Sequence, residues 1–156
     1  MSLKPSQRIV DFIKGFEQCR LKAYMPTPND RPTIGWGSTG TDIKLGMVWT
    51  QAQADARFNR DLAMFSAGVE HMLGGCPTTQ GQFDAMVSFA YNVGLDDDAD
   101  NIAEGFGDST LLRKHKASDY AGAAAEFPKW NKQKGVVLNG LTRRRKAEAA
   151  IYAGEA

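Results

Sequence analysis

The chain has 156 residues, of which 42% are hydrophobic, and its 19 basic and 18 acidic side chains leave a formal net charge of +1. This composition is typical of globular proteins, and the length suits one compact domain or two small lobes around a shared core. An eightfold strand-helix barrel needs about 250 residues, so the length argues against it. No stretch approaches the roughly 20 apolar residues of a membrane span, so we expect none.

The first five residues, Met1–Pro5, lack the apolar centre of a secretory signal. We therefore expect the protein to accumulate where it is made unless something else releases it. The two cysteines, Cys19 and Cys76, are far apart and form no Cys-x-x-Cys pair. This spacing argues against a zinc site and predicts two free thiols.

Charge is unevenly distributed along the chain. Residues 96–108 hold six acidic side chains and no base, whereas residues 129–146 hold seven bases and no acid. Each run favours a solvated face or loop. A basic face near an active cleft would attract a polyanionic substrate.

The N-terminal third predicts one helix followed by a small β element. Ser6 is a plausible N-cap, and apolar residues then recur at helical spacing, which predicts a helix to about Gln18. Short apolar pieces at 21–25 and 33–36 flank a proline-rich turn at 26–30. They predict a hairpin or a three-stranded sheet.

The remainder predicts helices. Capping boxes at Thr50/Gln53 and Thr79/Gln82 predict a long helix over 51–73 and a second helix that ends near Gly94. The stripe Phe83, Met86, Val87 and Ala90 indicates that the second helix is the most buried. Two short helices capped by Ser109 and Ser118 follow, and the last spans about 141–152. We predict an α+β, mainly helical fold with lobes of about 13–50 and 74–156 joined by helix 51–73, and a cleft between them.

The sequence argues against nucleotide binding, metal binding and serine-triad hydrolysis. Residues 35–40 match the G-x-G-x-x-G nucleotide pattern, but no helix follows directly, so the segment predicts only a tight turn. Neither His71 nor His115 has a second ligand at metal-binding spacing, and no serine lies in a G-x-S-x-G elbow.

Glu17 stands out because it ends an apolar helical stripe immediately before the β element. A half-buried carboxylic acid there would retain its proton more readily than one in water, as a general acid must. The alternative is an ordinary surface glutamate at a helix end. The tryptophans favour core positions, and Trp36 is the best candidate for stacking on a sugar ring.

Several segments carry a resemblance to a known family. Residues 16–24, FEQCRLKAY, followed by PTIGWG at 32–37, closely resemble the active-site region of phage-type lysozymes, the endolysin family that includes the T-even phage lysozyme. Further matches occur in order at 79–94, 109–112, Trp130, 140–145 and Glu148, so the resemblance covers almost the whole chain.

The resemblance implies a single lysozyme-like catalytic domain that cleaves bacterial peptidoglycan. The bond would be the β-1,4 link between N-acetylmuramic acid and N-acetylglucosamine, hydrolysed without a metal or cofactor and causing lysis of the host wall. We expect such an enzyme to be a monomer that binds no nucleic acid. We also expect it to stay in the host cytoplasm until a membrane pore releases it to the wall.

The same resemblance implies roles for individual residues. Glu17 falls on the catalytic glutamate, Thr33 on a threonine that helps hold the attacking water, and Tyr24 beside the catalytic pair. Independently of these roles, we expect Tyr24, Trp36 and Asn92 to contact substrate. One of Arg143, Arg144 or Arg145 would approach Glu17, the alternative being an i,i+4 pair between Arg144 and Glu148.

One position departs from the family pattern. The usual aspartate lies nine residues after the glutamate, where this chain has Pro26. Asp30 is the sole carboxylate between Glu17 and Thr33, so we expect it to replace that aspartate. If Asp30 instead faces solvent, Thr33 and backbone groups would position the water alone.

Two rival functions follow. A lytic transglycosylase needs only the acid and forms an anhydro sugar, which the changed aspartate spacing would permit. A wall-binding or virion structural module without catalysis is the alternative from another class.

Overall fold

The computed structural model describes residues 3–28, 30–96 and 104–155, and within them the chain is mainly helical, as predicted. The helices are α1 Gln7–Glu17, α2 Gln51–Leu73, α3 Gln80–Val93, α4 Thr110–Lys116, α5 Tyr120–Glu126 and α6 Asn139–Tyr152. The strands are β1 Arg20–Tyr24, β2 Thr33–Gly35, β3 Lys132–Gln133 and β4 Val136–Val137, with a 3-10 turn at Phe127–Lys129. None of these helices has the length and hydropathy needed to cross a bilayer.

The chain forms two compact units. One is Val10–Met64, and the other comprises the described parts of Met1–Ile9 and Phe65–Ala156. The lobe boundaries expected from the sequence, about 13–50 and 74–156, stay a prediction. Of the acidic run, residues 97–103 lie outside the described part of the chain.

The unit Val10–Met64 contains the predicted β element. β1 and β2 pair antiparallel, with Tyr24 opposite Thr33 and an irregularity along β1. The other edge of β1 pairs with residues 47–49, through a bridge between Lys22 and Val48. A small core lies under the sheet and consists of Ala23, Ile34 and Ile43 with Met47 and Trp49 packed against them.

The second unit is organised around α3, which is buried from Gln82 to Tyr91, as the sequence predicts. Both hydrogen bonds of the predicted Thr79/Gln82 capping box are present, and α3 packs mainly on α6. Across this contact, the fully buried Glu148 accepts a hydrogen bond from Ser88 Oγ at 2.6 Å.

The C-terminal part differs from the sequence prediction in three places. The N-cap of α5 is Asp119, which accepts from Gly122 N at 2.9 Å, and not Ser118, whose φ of +62° places it in the preceding turn. The last helix begins at Asn139, two residues before the predicted Leu141. The hairpin of β3 and β4 was not predicted; its turn residues Lys134 and Gly135 both have positive φ, which suits a two-residue hairpin turn.

The buried His115 links α4 to two other segments. Its Nδ1 lies 2.6 Å from the hydroxyl of Tyr152, and its Nε2 lies 2.9 Å from the hydroxyl of Thr78. Burial lowers the pKa of His115, against the smaller effect of a backbone hydrogen bond at Pro77 that raises it. The folded protein therefore holds this imidazole neutral at a pH where the unfolded chain protonates it.

This pKa shift predicts a pH-dependent stability. Below about pH 6.5 the unfolded state binds a proton that folded His115 resists, so the free energy of unfolding should fall as pH drops from ~7.5 to ~5. His115→Gln should flatten that slope in urea unfolding, whereas His71→Gln, at an exposed position of α2, should leave it in place. Equal slopes for wild type and His115→Gln would contradict the assignment.

Candidate active site

Glu17 is the last residue of α1 and is half-buried. The helix ends because Gln18 adopts a left-handed φ of +56°, while its N–H still donates to Lys14 O at 2.9 Å. This reversal starts β1 at Arg20, only three residues after Glu17. Glu17 is thereby fixed at the junction of helix and sheet, as the apolar stripe predicts.

The turn after β2 forms a wall against the Glu17 carboxyl. Gly37 has a φ of +85°, and a Cβ built on it would lie 2.5 Å from Glu17 Oε1 and 2.9 Å from its carboxyl carbon. Ile34 and Ser38 close this turn with two backbone hydrogen bonds of 3.0 and 2.9 Å. The segment 35–40 is thus the predicted tight turn, and Gly37 within it leaves room for the Glu17 carboxylate.

An ionic network ties this turn to α2. The buried Ser38 donates through Oγ to Asp61 at 2.8 Å, and Arg57 donates through Nε to the other oxygen of Asp61 at 2.9 Å. Arg57 also donates to Asp42 at 2.8 Å and to Thr39 O at 3.0 Å. The hydrogen bond from Arg57 is the main reason that the pKa of Asp42 lies below its usual value. Sequence analysis missed this network, although the i,i+4 spacing of Arg57 and Asp61 was a usable signal.

The charges of both candidate carboxylates, Glu17 and Asp30, act on the phenol of Tyr24. Its pKa is raised, first by burial and further by the charges of Glu17 and Asp30, while the guanidinium of Arg20 lowers it. Both carboxylates therefore lie within electrostatic range of one phenol. Directly opposite Tyr24 in the sheet is Thr33, which is buried and donates through Oγ1 to a backbone oxygen at 3.1 Å.

Asp30 is half-buried and takes part in its own turn. Its Oδ1 accepts from Arg31 N at 2.8 Å, and its Oδ2 accepts from Thr27 Oγ1 at 3.3 Å. The backbone N–H of Asp30 donates to Thr27 O at 3.2 Å, which closes the turn. These bonds hold the carboxylate of Asp30 within its own turn.

Trp36 is held by polar contacts at its edge and face. Its Nε1 donates to Asp55 at 2.9 Å, and this bond is the main cause of the lowered pKa of Asp55. The ammonium of Lys14 lies 5.0 Å from the ring centroid, and the ring of Phe58 packs edge-on at 6.4 Å. Stacking of Trp36 on a sugar stays a prediction.

The remaining predicted residues belong to the other unit. Asn92 is exposed on α3, and its Oδ1 accepts from Arg145 at 2.8 Å. Arg144 and Arg145 are buried in ion pairs with Glu148 at 3.3 and 2.7 Å, so the alternative considered for Arg144, an i,i+4 pair with Glu148, is present. Of the predicted site residues, the unit Val10–Met64 thus contains Glu17, Tyr24, Asp30, Thr33 and Trp36, and the other unit contains Asn92.

The arrangement of the described side chains also bears on metal binding. Within residues 3–28, 30–96 and 104–155, no group of three His, Cys, Asp or Glu side chains is arranged to hold a metal ion. Both cysteines are free and half-buried, as expected, and Cys19 accepts a long hydrogen bond from Gln51 at 3.7 Å.

Comparison with known proteins identifies the class. Residues 14–148 match the phage lysozyme family. The chain is 36% identical to the endolysin from Escherichia coli O157:H7 phage FAHEc1, with a TM-score of 0.79 over 97% of this chain and 94% of that one. The muramidase domain of SpmX from Asticaccaulis excentricus gives a TM-score of 0.79 at 33% identity, over 96% and 97% of the two chains. The chain therefore belongs to the phage lysozyme family and has the predicted lysozyme-like fold.

Longer relatives also exist. The endolysin of Bacillus phage PZA is 43% identical over 148 residues, which are 94% of this chain and 54% of that protein. The chain thus spans about half the length of the curated relatives that it matches first.

The contact between Gly37 and Glu17 makes a testable prediction. Gly37→Ala should displace the Glu17 carboxylate and lower wall-lytic activity about 100-fold, because misplacement of about 1 Å has that effect on catalytic groups. Gly46→Ala is the matched control, since Gly46 has a similar φ of +96° but no atom within 4 Å of the added Cβ. Both variants should lose about 1 kcal/mol of stability from backbone strain. Equal activity of the two variants would contradict the proposed wall.

Proposed function

We propose that this chain hydrolyses the β-1,4 bond between N-acetylmuramic acid and N-acetylglucosamine in bacterial peptidoglycan and so lyses the host wall. The observation that supports this most directly is the half-buried Glu17, whose carboxyl packs on Gly37 and which, like Asp30, lies within electrostatic range of Tyr24. Membership of the phage lysozyme family supports the same substrate.

In the proposed first half of the reaction, protonated Glu17 acts as the general acid. It donates its proton to the glycosidic oxygen as the bond from that oxygen to the anomeric carbon breaks. The packing on Gly37 limits the positions available to the carboxyl group. Such restriction favours proton transfer, because a catalytic acid must lie within hydrogen-bond distance of the leaving oxygen.

In the proposed second half, Asp30 and Thr33 hold the attacking water. The water oxygen bonds to the anomeric carbon from the opposite face, and one water proton passes to the Asp30 carboxylate. This is the inverting arrangement, which needs two carboxyl groups about 6.5 to 9.5 Å apart. Thr33 donates its own hydrogen to Arg31 O, so the lone pairs of its hydroxyl are the atoms that would accept from the water.

Binding and assembly complete the proposal. Tyr24, Trp36 and Asn92 contact the glycan, and the protein acts as a monomer without a metal or cofactor. It accumulates in the host cytoplasm and reaches the wall through a membrane pore. Sedimentation of the pure protein and fractionation of host cells with the pore blocked would test assembly and localisation.

Replacing the acid tests the proposal. Glu17→Gln should lower the release of reducing sugar ends from purified peptidoglycan by a factor of about 10² to 10⁴, the usual contribution of a general acid. Glu70→Gln, the same change at an exposed glutamate of α2, should retain full activity. Thermal unfolding should show both variants folded. Undiminished release by folded Glu17→Gln would contradict Glu17 as the acid, and release of neither reducing nor anhydro ends by wild type would favour the binding module.

One observation favours a second candidate, a lytic transglycosylase. Both oxygens of Asp30 accept hydrogen bonds within its own turn, which is also how a purely structural turn residue behaves. In that reaction a substrate hydroxyl replaces water and an anhydro sugar forms.

Asp30 variants separate these candidates. Asp30→Asn should lower activity about 100-fold, because the amide cannot accept the water proton. Thr27→Val removes a hydrogen bond of the turn but keeps the carboxylate, so it should lower activity by less than about tenfold. Mass spectrometry of the products is the measurement. Anhydro ends with full activity of Asp30→Asn would overturn hydrolysis.

A further inference from the structure

We propose that Arg20 and Lys22 form a cationic strip that binds the free carboxylates of the peptide stems on the glycan. This inference rests on the proposed function, since it names the part of the same substrate that the outer face of β1 would contact.

The pairing of β1 determines which side chains face outward. Ala23 N donates to Met47 O and Trp49 N donates to Leu21 O, so Lys22 lies directly opposite Val48. Residues directly opposite in an antiparallel pair project from the same face. Ala23 belongs to the core under the sheet, so Lys22 and Val48 face away from that core. Both are exposed, and Val48 is 69% exposed.

Arg20 extends the strip to Tyr24. Its guanidinium carbon lies 4.4 Å from the ring centroid of Tyr24, and that phenol is within electrostatic range of Glu17 and Asp30. Stacking uses the flat face of a guanidinium and leaves its N–H edges able to donate. Arg20 and Lys22 thus lie two residues apart on β1, the guanidinium of Arg20 over the ring of Tyr24 and Lys22 exposed.

Among the described residues, the two cations have no acidic partner of their own. Within the described ranges, no ion pair or hydrogen bond to a side chain includes either Arg20 or Lys22. Elsewhere in this unit, Arg57 is paired with two aspartates. Unpaired cations beside a site for a polymer favour an anionic group on that polymer.

Peptide stems supply that group. They are short peptides with free carboxylates, which a guanidinium binds through two parallel N–H donors and an ammonium binds as a point charge. The exposed Val48 beside Lys22 offers an apolar surface to small alkyl side chains of the same stem. The structure thus assigns the carboxylates to the cations and the alkyl groups to Val48.

Binding to insoluble sacculi tests the strip without catalysis. In a Glu17→Gln background, co-sedimentation with purified sacculi should weaken about tenfold on adding Lys22→Glu, as expected for loss of a charged hydrogen bond. Lys44→Glu makes the same charge change at an exposed residue of this unit and should alter binding by less than about twofold. Lys22→Arg should retain binding.

Sacculi whose carboxyl groups have been converted to amides provide the second comparison. On them, Lys22→Glu and Lys44→Glu should bind alike, because the charged target of Lys22 is gone. Equal weakening by both variants on native sacculi, or a Lys22→Glu defect that survives amidation, would overturn the strip. If binding follows this pattern but wild type releases no reducing ends, the strip stands and the proposed hydrolysis fails.

Discussion

The candidate site depends on a steric constraint, the packing of the Glu17 carboxyl against the α carbon of Gly37. Two backbone features create it. Gln18 turns the chain out of α1 with a left-handed φ, and Gly37 holds a positive φ in the turn after β2. A Cβ at position 37 would overlap the carboxylate, so a larger residue there requires the Glu17 side chain to shift, and the positive φ of Gly37 by itself favours glycine.

The rest of the unit Val10–Met64 keeps these two turns in place. Ser38, next to Gly37, is hydrogen-bonded to Asp61, and Arg57 joins that aspartate to Asp42 and to a backbone oxygen of the turn. The β1–β2 pairing aligns Tyr24 with Thr33 and brings the phenol into the field of both candidate carboxylates. Contacts remote from Glu17 thus determine where this candidate acid and its neighbours lie.

Features set by local chemistry could be predicted from the sequence. The capping boxes Thr50/Gln53 and Thr79/Gln82 are present, because each depends on hydrogen bonds three residues apart. The position of Glu17 at the end of an apolar helix was also predictable. Ser118 and Asp119 are adjacent residues that can both cap a helix. Asp119 is the N-cap of α5, so the predicted N-cap, Ser118, was wrong by one residue.

Features set by distant parts of the chain could not be predicted. The bond between Ser38 and Asp61 joins residues 23 apart, and the bond between Ser88 and Glu148 joins residues 60 apart. No periodicity encodes such pairs. The proposed role of Asp30 could not be predicted either, because an aspartate displaced along a proline-rich turn has no local sequence signature. The family pattern supplied Glu17 and Thr33, but the changed spacing left Asp30 to be argued from the turn itself.

The most direct test of the central claim is digestion of purified peptidoglycan in ¹⁸O-labelled water, followed by mass spectrometry of the soluble fragments. If Glu17 protonates the leaving oxygen while a water attacks the anomeric carbon, each new reducing muramic acid should carry one ¹⁸O atom. Fragments that end in anhydromuramic acid without label would show that a substrate hydroxyl, and not water, attacks, and would contradict the account.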